Sequence, residues 1–292
     1  MMIIDWWLDP LAEDFMVNML LATTVAAAVC AMISCWIVLI GWSLMGDAVS
    51  HAVLPGVVLA YIFGAPFAVG ALIFGLGAVL LIGVVRDTSR VKEDAAIGIV
   101  FTTLFALGLV LISVTPSQTD LNHILFGNVL GVSQADLWQI IGLAVLTVVI
   151  LTLKRRDLTL FAFDPTHAHA IGLSPRRLGA LLLGLLALTC VVALQIVGVV
   201  LVVAMLIIPG ASAYLLTDRF NRMLIIAPIL ACVCAVLGIY YAYYLDVAPG
   251  AMVVLAQGMA FAVIYLFAPR QGVLIKAINR AQRRRSSALV AP

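Results

Sequence analysis

A run of 71 consecutive residues, from Phe15 to Val85, contains no lysine, arginine or glutamate. Its only carboxylate is that of Asp47, and its only imidazole is that of His51. A helix needs about 20 residues to cross the hydrocarbon of a bilayer, so this run is long enough for three crossings and part of a fourth. A soluble domain would carry charged residues within such a length, and the run therefore excludes the ordinary soluble folds.

The composition of the whole chain indicates the same class. Of its 292 residues, 65% are hydrophobic and 10% are charged, whereas soluble domains contain about 25% charged residues. We predict an all-α, polytopic membrane helical bundle of about eight or nine transmembrane helices. The stretches that supply them carry no charged residue other than Asp47, and they lie at 15–85, 95–119, 137–153, 178–217, 223–245 and 247–269. The 178–217 stretch is long enough for two helices that turn near Gln195.

Basic residues predict how the bundle is oriented. They cluster at 86–92, 154–177, 219–222 and from 270 to the C-terminus. The loop at 115–136 contains none. Since cytoplasmic loops of membrane proteins are enriched in lysine and arginine, we expect the C-terminus in the cytoplasm. With nine helices, an odd number, this predicts an extracytoplasmic N-terminal segment at 1–14, a transmembrane domain at 15–270 and a basic cytoplasmic tail at 271–292.

Asp47 and His51 are four residues apart, so a helix places them on one face. A charge at membrane depth is unfavourable by about 2.5–3.5 kcal/mol, which indicates a functional role. A carboxylate and an imidazole suit manganese, iron(II) or zinc better than magnesium or calcium. Glycines and a proline bracket the pair and predict a broken helix near 41–56, unwound just before Asp47. From the spacing alone a structural role stays open, with Asp47 capping a helix and His51 bonded to a carbonyl.

The segment from Asp164 to Leu173 encodes a short helix inside a basic loop. Asp164 suits the N-cap, Pro165 the first helical position and Gly172 the left-handed position after the last turn. A helix of about seven residues does not persist alone. It therefore needs a surface to lie on, either a partner protein or the underside of its own bundle.

Two further features concern movement and energy supply. Gln195 and Pro209 suggest a flexible, kinked element, for which gating is one interpretation. The sequence contains no phosphate-binding loop of the form G-x-x-x-x-G-K-[ST], so the chain is not expected to be an ATP-hydrolysing enzyme by itself. A transport protein of this kind would take its energy from a separate subunit, and no nucleic-acid partner is expected.

Four segments carry a family resemblance. They read MGDAVSHAVLPG at 45–56, EDAAIGIVF at 93–101, FDPTHAHAIGL at 163–173 and VGVVLVVAMLIIP at 197–209. In this order they resemble the permease subunits of ABC transporters for manganese, iron and zinc, the metal-ion ABC-3-type family. The resemblance covers roughly residues 15–270.

The resemblance implies an importer subunit in the bacterial plasma (inner) membrane, with no permanently bound cofactor. The implied partners are a cytoplasmic ATP-binding-cassette ATPase, a second permease subunit (identical or a sister chain) and an extracytoplasmic metal-binding protein. Asp47 and His51 match the family's metal path, and the segment 164–172 matches its ATPase-coupling helix. The implied cargo is manganese or iron, with zinc carried by members that share the same motifs.

Two other transport classes stay open. The first is a secondary metal carrier driven by an ion gradient, although the chain has no series of intramembrane acids that would form a proton relay. The second is an ABC permease for a metal chelate, which needs a wider polar channel than one compact pair of side chains provides.

Overall fold

The computed structural model describes residues 13–115, 134–197, 199–268 and 272. Within these ranges the chain is helical and contains no β-strand, which confirms the all-α class. The helices are α1 (Asp14–Ile40), α2 (Ser43–Ala52), α3 (Leu54–Phe63), α4 (Phe67–Thr88), α5 (Glu93–Val114), α6 (Gln134–Leu153), α7 (Arg155–Phe163), α8 (Pro165–Ala170), α9 (Pro175–Val197), α10 (Val199–Leu216), α11 (Phe220–Leu245) and α12 (Pro249–Phe267).

Seven helical stretches of the described chain are long and apolar enough to cross a membrane. They are Phe15–Ile40, Ser43–Phe63, Phe67–Arg86, Asp94–Val114, Pro175–Leu194, Phe220–Leu245 and Pro249–Phe267. An eighth candidate is the pair Leu137–Leu153 and Arg155–Phe163, which is bent by 68°. A shorter apolar helix follows at Leu201–Leu216. The predicted polytopic membrane bundle is confirmed, and the number of crossings in the described residues depends on the bent pair and on this short helix.

α1 forms the centre of the bundle, where it packs against α6, α9, α10 and α11. Trp36 on α1 is completely buried, and its ring packs edge-on against Phe220 with centroids 5.1 Å apart. Aromatic pairs of this kind contribute about 0.5–1.5 kcal/mol beyond their burial, so the contact fixes the end of α1 against α11. α1 ends at Gly41, whose φ of 87° is a left-handed conformation that glycine adopts without a side-chain clash.

The helix that carries Asp47 is interrupted at different points from those predicted. The chain leaves helical geometry at 41–42, before α2, and the helix is interrupted again at Val53, between α2 and α3, where the backbone angles stay in the right-handed helical region. Both interruptions lie within 41–56, as predicted, but the unwinding expected just before Asp47 is wrong. Gly46 lies inside α2 and is buried, and a Cβ there would come within 3.7 Å of a side chain of α10. This distance is an ordinary van der Waals contact, so Gly46 neither breaks the helix nor is needed for its packing.

α3 and α4 cross at two glycines. A Cβ on Gly70 would fall on the backbone carbonyl of Gly56, and a Cβ on Gly56 would fall on that of Gly70. The two helices therefore touch backbone to backbone, as small residues allow in membrane bundles. This contact fixes the position of α3, which directly follows the helix that carries Asp47 and His51.

The predictions for the 178–217 stretch and for the two ends of the chain remain to be compared with the structure. The 178–217 stretch does contain two helices, since α9 ends at Val197 and α10 begins at Val199. The predicted segments 1–14 and 271–292 lie almost entirely outside the described residues.

Candidate functional site

Asp47 and His51 lie one helical turn apart on α2, with their polar atoms facing each other. Nε2 of His51 is 3.3 Å from Oδ1 of Asp47. The His51 side chain is 18% exposed and the Asp47 side chain 36% exposed, while the three residues between them are buried. The two groups therefore share one partly open face of the helix, as their spacing predicts.

Two phenylalanines of α5 flank the imidazole. The ring centroid of His51 lies 5.0 Å from that of Phe105, in an edge-on contact, and 5.5 Å from that of Phe101. Nδ1 of His51 is buried and has no hydrogen-bond partner in the described part of the chain. Nε2, beside Asp47, is therefore the nitrogen that is placed to meet a ligand.

Sequence reasoning did not identify these phenylalanines as part of the site. Their spacing of four residues places Phe101 and Phe105 on one face of α5. Nothing in the spacing indicates that this face meets α2, because the contact is made between helices that are distant in sequence.

The geometry of the pair allows both groups to hold one metal ion. With metal–ligand bonds of about 2.1 Å, a 3.3 Å separation between Nε2 and Oδ1 corresponds to an angle of about 100° at the metal. That angle lies between the octahedral and tetrahedral values. No group of three histidine, cysteine, aspartate or glutamate side chains in the described residues is placed to hold a metal. One chain thus supplies two such ligands, which suits a weak site that an ion can leave as well as enter.

The short helix predicted between Asp164 and Leu173 is confirmed as α8. The Asp164 side chain accepts a hydrogen bond of 2.8 Å from the backbone N–H of His167, and Pro165 is the first helical residue. At the other end Gly172 has a φ of 89°. Backbone N–H groups of Gly172 and Leu173 donate to the carbonyls of His169 and Ala168, which is the hydrogen-bond pattern of a Schellman motif.

α8 presents most of its surface to the outside of the bundle. Ala168 is buried and Leu173 packs against the core, so these two residues attach the helix to the protein. The side chains of His167 and His169 are exposed. The helix therefore rests on the protein by one narrow side and leaves the rest free for a partner.

An aromatic contact connects this region with the start of α2. Trp42, in the turn before α2, packs against Phe161 of α7 with ring centroids 6.1 Å apart. Phe161 is almost fully buried. The two rings meet over Gly179 of α9, where a Cβ would lie 3.4 Å from Phe161 and 3.6 Å from Trp42. The segment that leads into α8 thus touches the turn that leads to Asp47.

The two predicted gating positions lie in adjacent helices. Pro209 is inside α10, and Gln195 is in the last turn of α9, with its side chain outside the described set. Next to the proline, the N–H of Gly210 donates to Oγ of Ser34 at 3.0 Å, and this hydroxyl lies 3.4 Å from the carbonyl oxygen of Ile207, to which it donates. The part of α10 next to Pro209 is therefore bonded to α1, and gating stays a prediction.

Comparison with known proteins gives consistent results for sequence and structure. The family model described as "ABC 3 transport family" matches residues 12–268. The manganese transport system membrane protein MntB of Synechocystis sp. is 50% identical over 272 residues, which cover 92% of this chain and 88% of that protein. The chelated iron transport system membrane protein YfeC of Yersinia pestis is 44% identical over 278 residues, 95% of each chain. Among solved structures, PsaBC from Streptococcus pneumoniae in complex with Fab has a TM-score of 0.86 at 38% identity, over 92% of this chain and 97% of that chain.

Proposed function

The chain belongs to the ABC 3 transport family, and we propose that it forms the metal path of an ATP-driven importer of manganese or iron. It is a membrane-spanning permease subunit, and its relatives are named as membrane proteins of manganese and chelated-iron transport systems. Zinc shares the same ligand preferences, although neither relative is named for zinc.

The observation that carries the proposal is the 3.3 Å separation between His51 Nε2 and Asp47 Oδ1. The carboxylate supplies negative charge and the neutral imidazole supplies a nitrogen ligand, and together they replace part of the hydration shell of a divalent cation. A second permease subunit, identical or a sister chain, would face this site and add further ligands. Phe101 and Phe105 would hold the imidazole with Nε2 turned toward the ion.

Energy for transport would come from a separate ATP-binding-cassette ATPase on the cytoplasmic side. The sequence has no phosphate-binding loop of the Walker type, so ATP would bind to that partner. α8 is the proposed docking element, with Asp164, Pro165, Gly172 and Leu173 fixing its two ends. Its exposed surface and rigid capping support this role, because a docked helix has to transmit movement without fraying.

The orientation of the proposed transporter follows from the basic segments. Loops at 86–92, 154–177 and 219–222 would face the cytoplasm of a bacterial cell, across the plasma membrane. An extracytoplasmic metal-binding protein would deliver the ion to the opposite face. ATP-driven movement of the two ATPase subunits would then open the path inward, with Gln195 and Pro209 as proposed gating positions.

The test is manganese uptake by cells that contain the complete transporter. His51→Ala removes the nitrogen ligand and Asp47→Asn removes the negative charge of the oxygen ligand, and we expect at least about a tenfold loss of uptake for each. Assembly with the ATPase and insertion in the membrane should be unchanged. Thr147→Ala is the matched control, since it removes a buried intramembrane hydroxyl that bonds to its own helix, away from the pair.

Normal uptake by the His51→Ala variant, in correctly assembled complexes, would refute the metal path. Uptake by the purified permease alone, in vesicles with an ion gradient, would instead favour the secondary carrier. Competition for uptake between free manganese and a ferric chelate shows whether the cargo is the free ion or the larger chelate.

A further inference from the structure

A groove opens where α7 approaches the start of α11. Its volume is about 520 Å³. The residues that line it are Arg155, Arg156, Thr159, Leu160 and Phe163 of α7 and Asn221 of α11. Small-molecule sites in proteins measure about 300–1,000 Å³, so the groove has room for a ligand larger than a single inorganic ion.

The positive charge of the groove is not neutralised by the described part of the protein. Lys154 forms an ion pair with Asp157 at 3.3 Å. Its neighbours Arg155 and Arg156 are exposed and have no carboxylate within ion-pair distance among the described residues. Adjacent guanidinium groups without an internal partner suit a phosphate, which each can hold with two parallel hydrogen bonds.

The groove lies at the boundary of the membrane-spanning region. The apolar stretch of α6 ends at Leu153, and the apolar stretch of α11 begins at Phe220. Arg155 therefore lies two residues beyond the end of one span, and Asn221 is the second residue of the other. This is the level at which the headgroups of a bilayer begin.

The groove also has an apolar end. Phe163 is 62% exposed and packs edge-on against Phe220, with ring centroids 6.4 Å apart. A free phosphate or an acidic peptide would use the arginines and leave this ring in contact with water. A molecule that joins a phosphate to an apolar chain would use both ends.

We propose that this arginine groove binds the headgroup of an anionic phospholipid, with Arg155 and Arg156 on the phosphate and Phe163 against the first carbons of an acyl chain. Basic pockets between transmembrane helices are a known form of lipid site. The 68° bend between α6 and α7 supports this proposal, because it directs α7 and its arginines away from the axis of α6. The inference requires only that α6 and α11 cross a membrane, and it does not depend on the metal path.

The test compares two double variants with the same change in charge. Arg155→Gln with Arg156→Gln alters the groove. Arg176→Gln with Arg177→Gln alters exposed arginines at the start of α9 that do not line it. Each transporter, with its ATPase partner, is extracted from vesicles of equal parts phosphatidylglycerol and phosphatidylethanolamine, and the retained lipid is counted by native mass spectrometry.

We expect the groove variant to lose about thirtyfold in phosphatidylglycerol retention, because each arginine near an anionic surface contributes a factor of about five. The α9 variant should change retention less than threefold. Phe163→Ser keeps the charge and should still reduce retention about tenfold, since it removes the apolar contact.

Two results would overturn the proposal. Equal retention of the two lipids by the unaltered protein would exclude a site for an anionic phospholipid. Unchanged lipid retention together with loss of the ATPase from the groove variant would assign the arginines to a protein contact.

Discussion

The contact between Trp42 and Phe161 leads to a prediction about how ATP hydrolysis is linked to transport. The two rings connect the turn before α2 with α7, and α7 leads directly into α8. If movement of α8 reaches Asp47 and His51 through this contact, weakening the contact should uncouple ATP hydrolysis from transport and leave the metal site intact. We therefore expect Phe161→Ala to import fewer ions for each ATP hydrolysed.

The size of the effect follows from the geometry. Aromatic pairs at such distances contribute about 0.5–1.5 kcal/mol beyond their burial. If this energy favours one of the two transport states over the other, its loss changes the ratio of ions to ATP by about twofold to thirteenfold. Trp42→Leu should have a similar effect, and the double variant should be no worse than the stronger single variant.

The assay uses the complete transporter in vesicles, with manganese uptake and phosphate release measured in the same sample. Metal binding by the permease without its ATPase should be unchanged, which separates loss of coupling from loss of the site. Phe267→Ala is the control, since this ring is 63% exposed at the end of α12. Additive effects of the two substitutions, or an unchanged ratio of ions to ATP, would refute the reasoning.

Two further predictions concern stability. Gly70→Ala should destabilise the protein relative to Gly77→Ala by about 1–3 kcal/mol, because both gain helix propensity but only the first drives a Cβ into the backbone of Gly56. Thermal unfolding in detergent should separate the variants by about 2–4 °C for each kcal/mol. Asp164→Ala removes the N-cap bond to the N–H of His167, worth about 0.5–2 kcal/mol, so hydrogen exchange in α8 should rise about twofold to thirtyfold. Asp164→Ser, which retains a capping oxygen, should leave exchange nearly unchanged.

The sequence predicts the helices well because each helix is specified by residues that are close together in the chain. Uncharged runs of sufficient length specify the spans, and the capping residues from Asp164 to Gly172 specify α8 almost to the residue. The position of Gly46 could not be predicted in the same way. A glycine can break a helix or lie within it, and the structure shows that α2 continues through Gly46, beside a residue of α10 that is far away in sequence.

In the candidate site, too, features within one helix could be predicted from the sequence and contacts between helices could not. The spacing of Asp47 and His51 is enough to predict that they share a face, because both are on one helix. The contacts of His51 with Phe101 and Phe105, and that of Trp42 with Phe161, join separate helices. They depend on how the bundle packs, and an isolated sequence does not state which helix faces which.

The hydroxyl of Ser34 restricts the freedom that Pro209 would otherwise give to α10. It accepts a hydrogen bond from Gly210 and donates one to Ile207, so moving this part of α10 away from α1 has to break both. At about 0.5–1.5 kcal/mol for each bond, a detached α10 would account for between about a sixth and less than a hundredth of molecules at rest. Any movement of α10 around Pro209 must therefore first release this helix from α1.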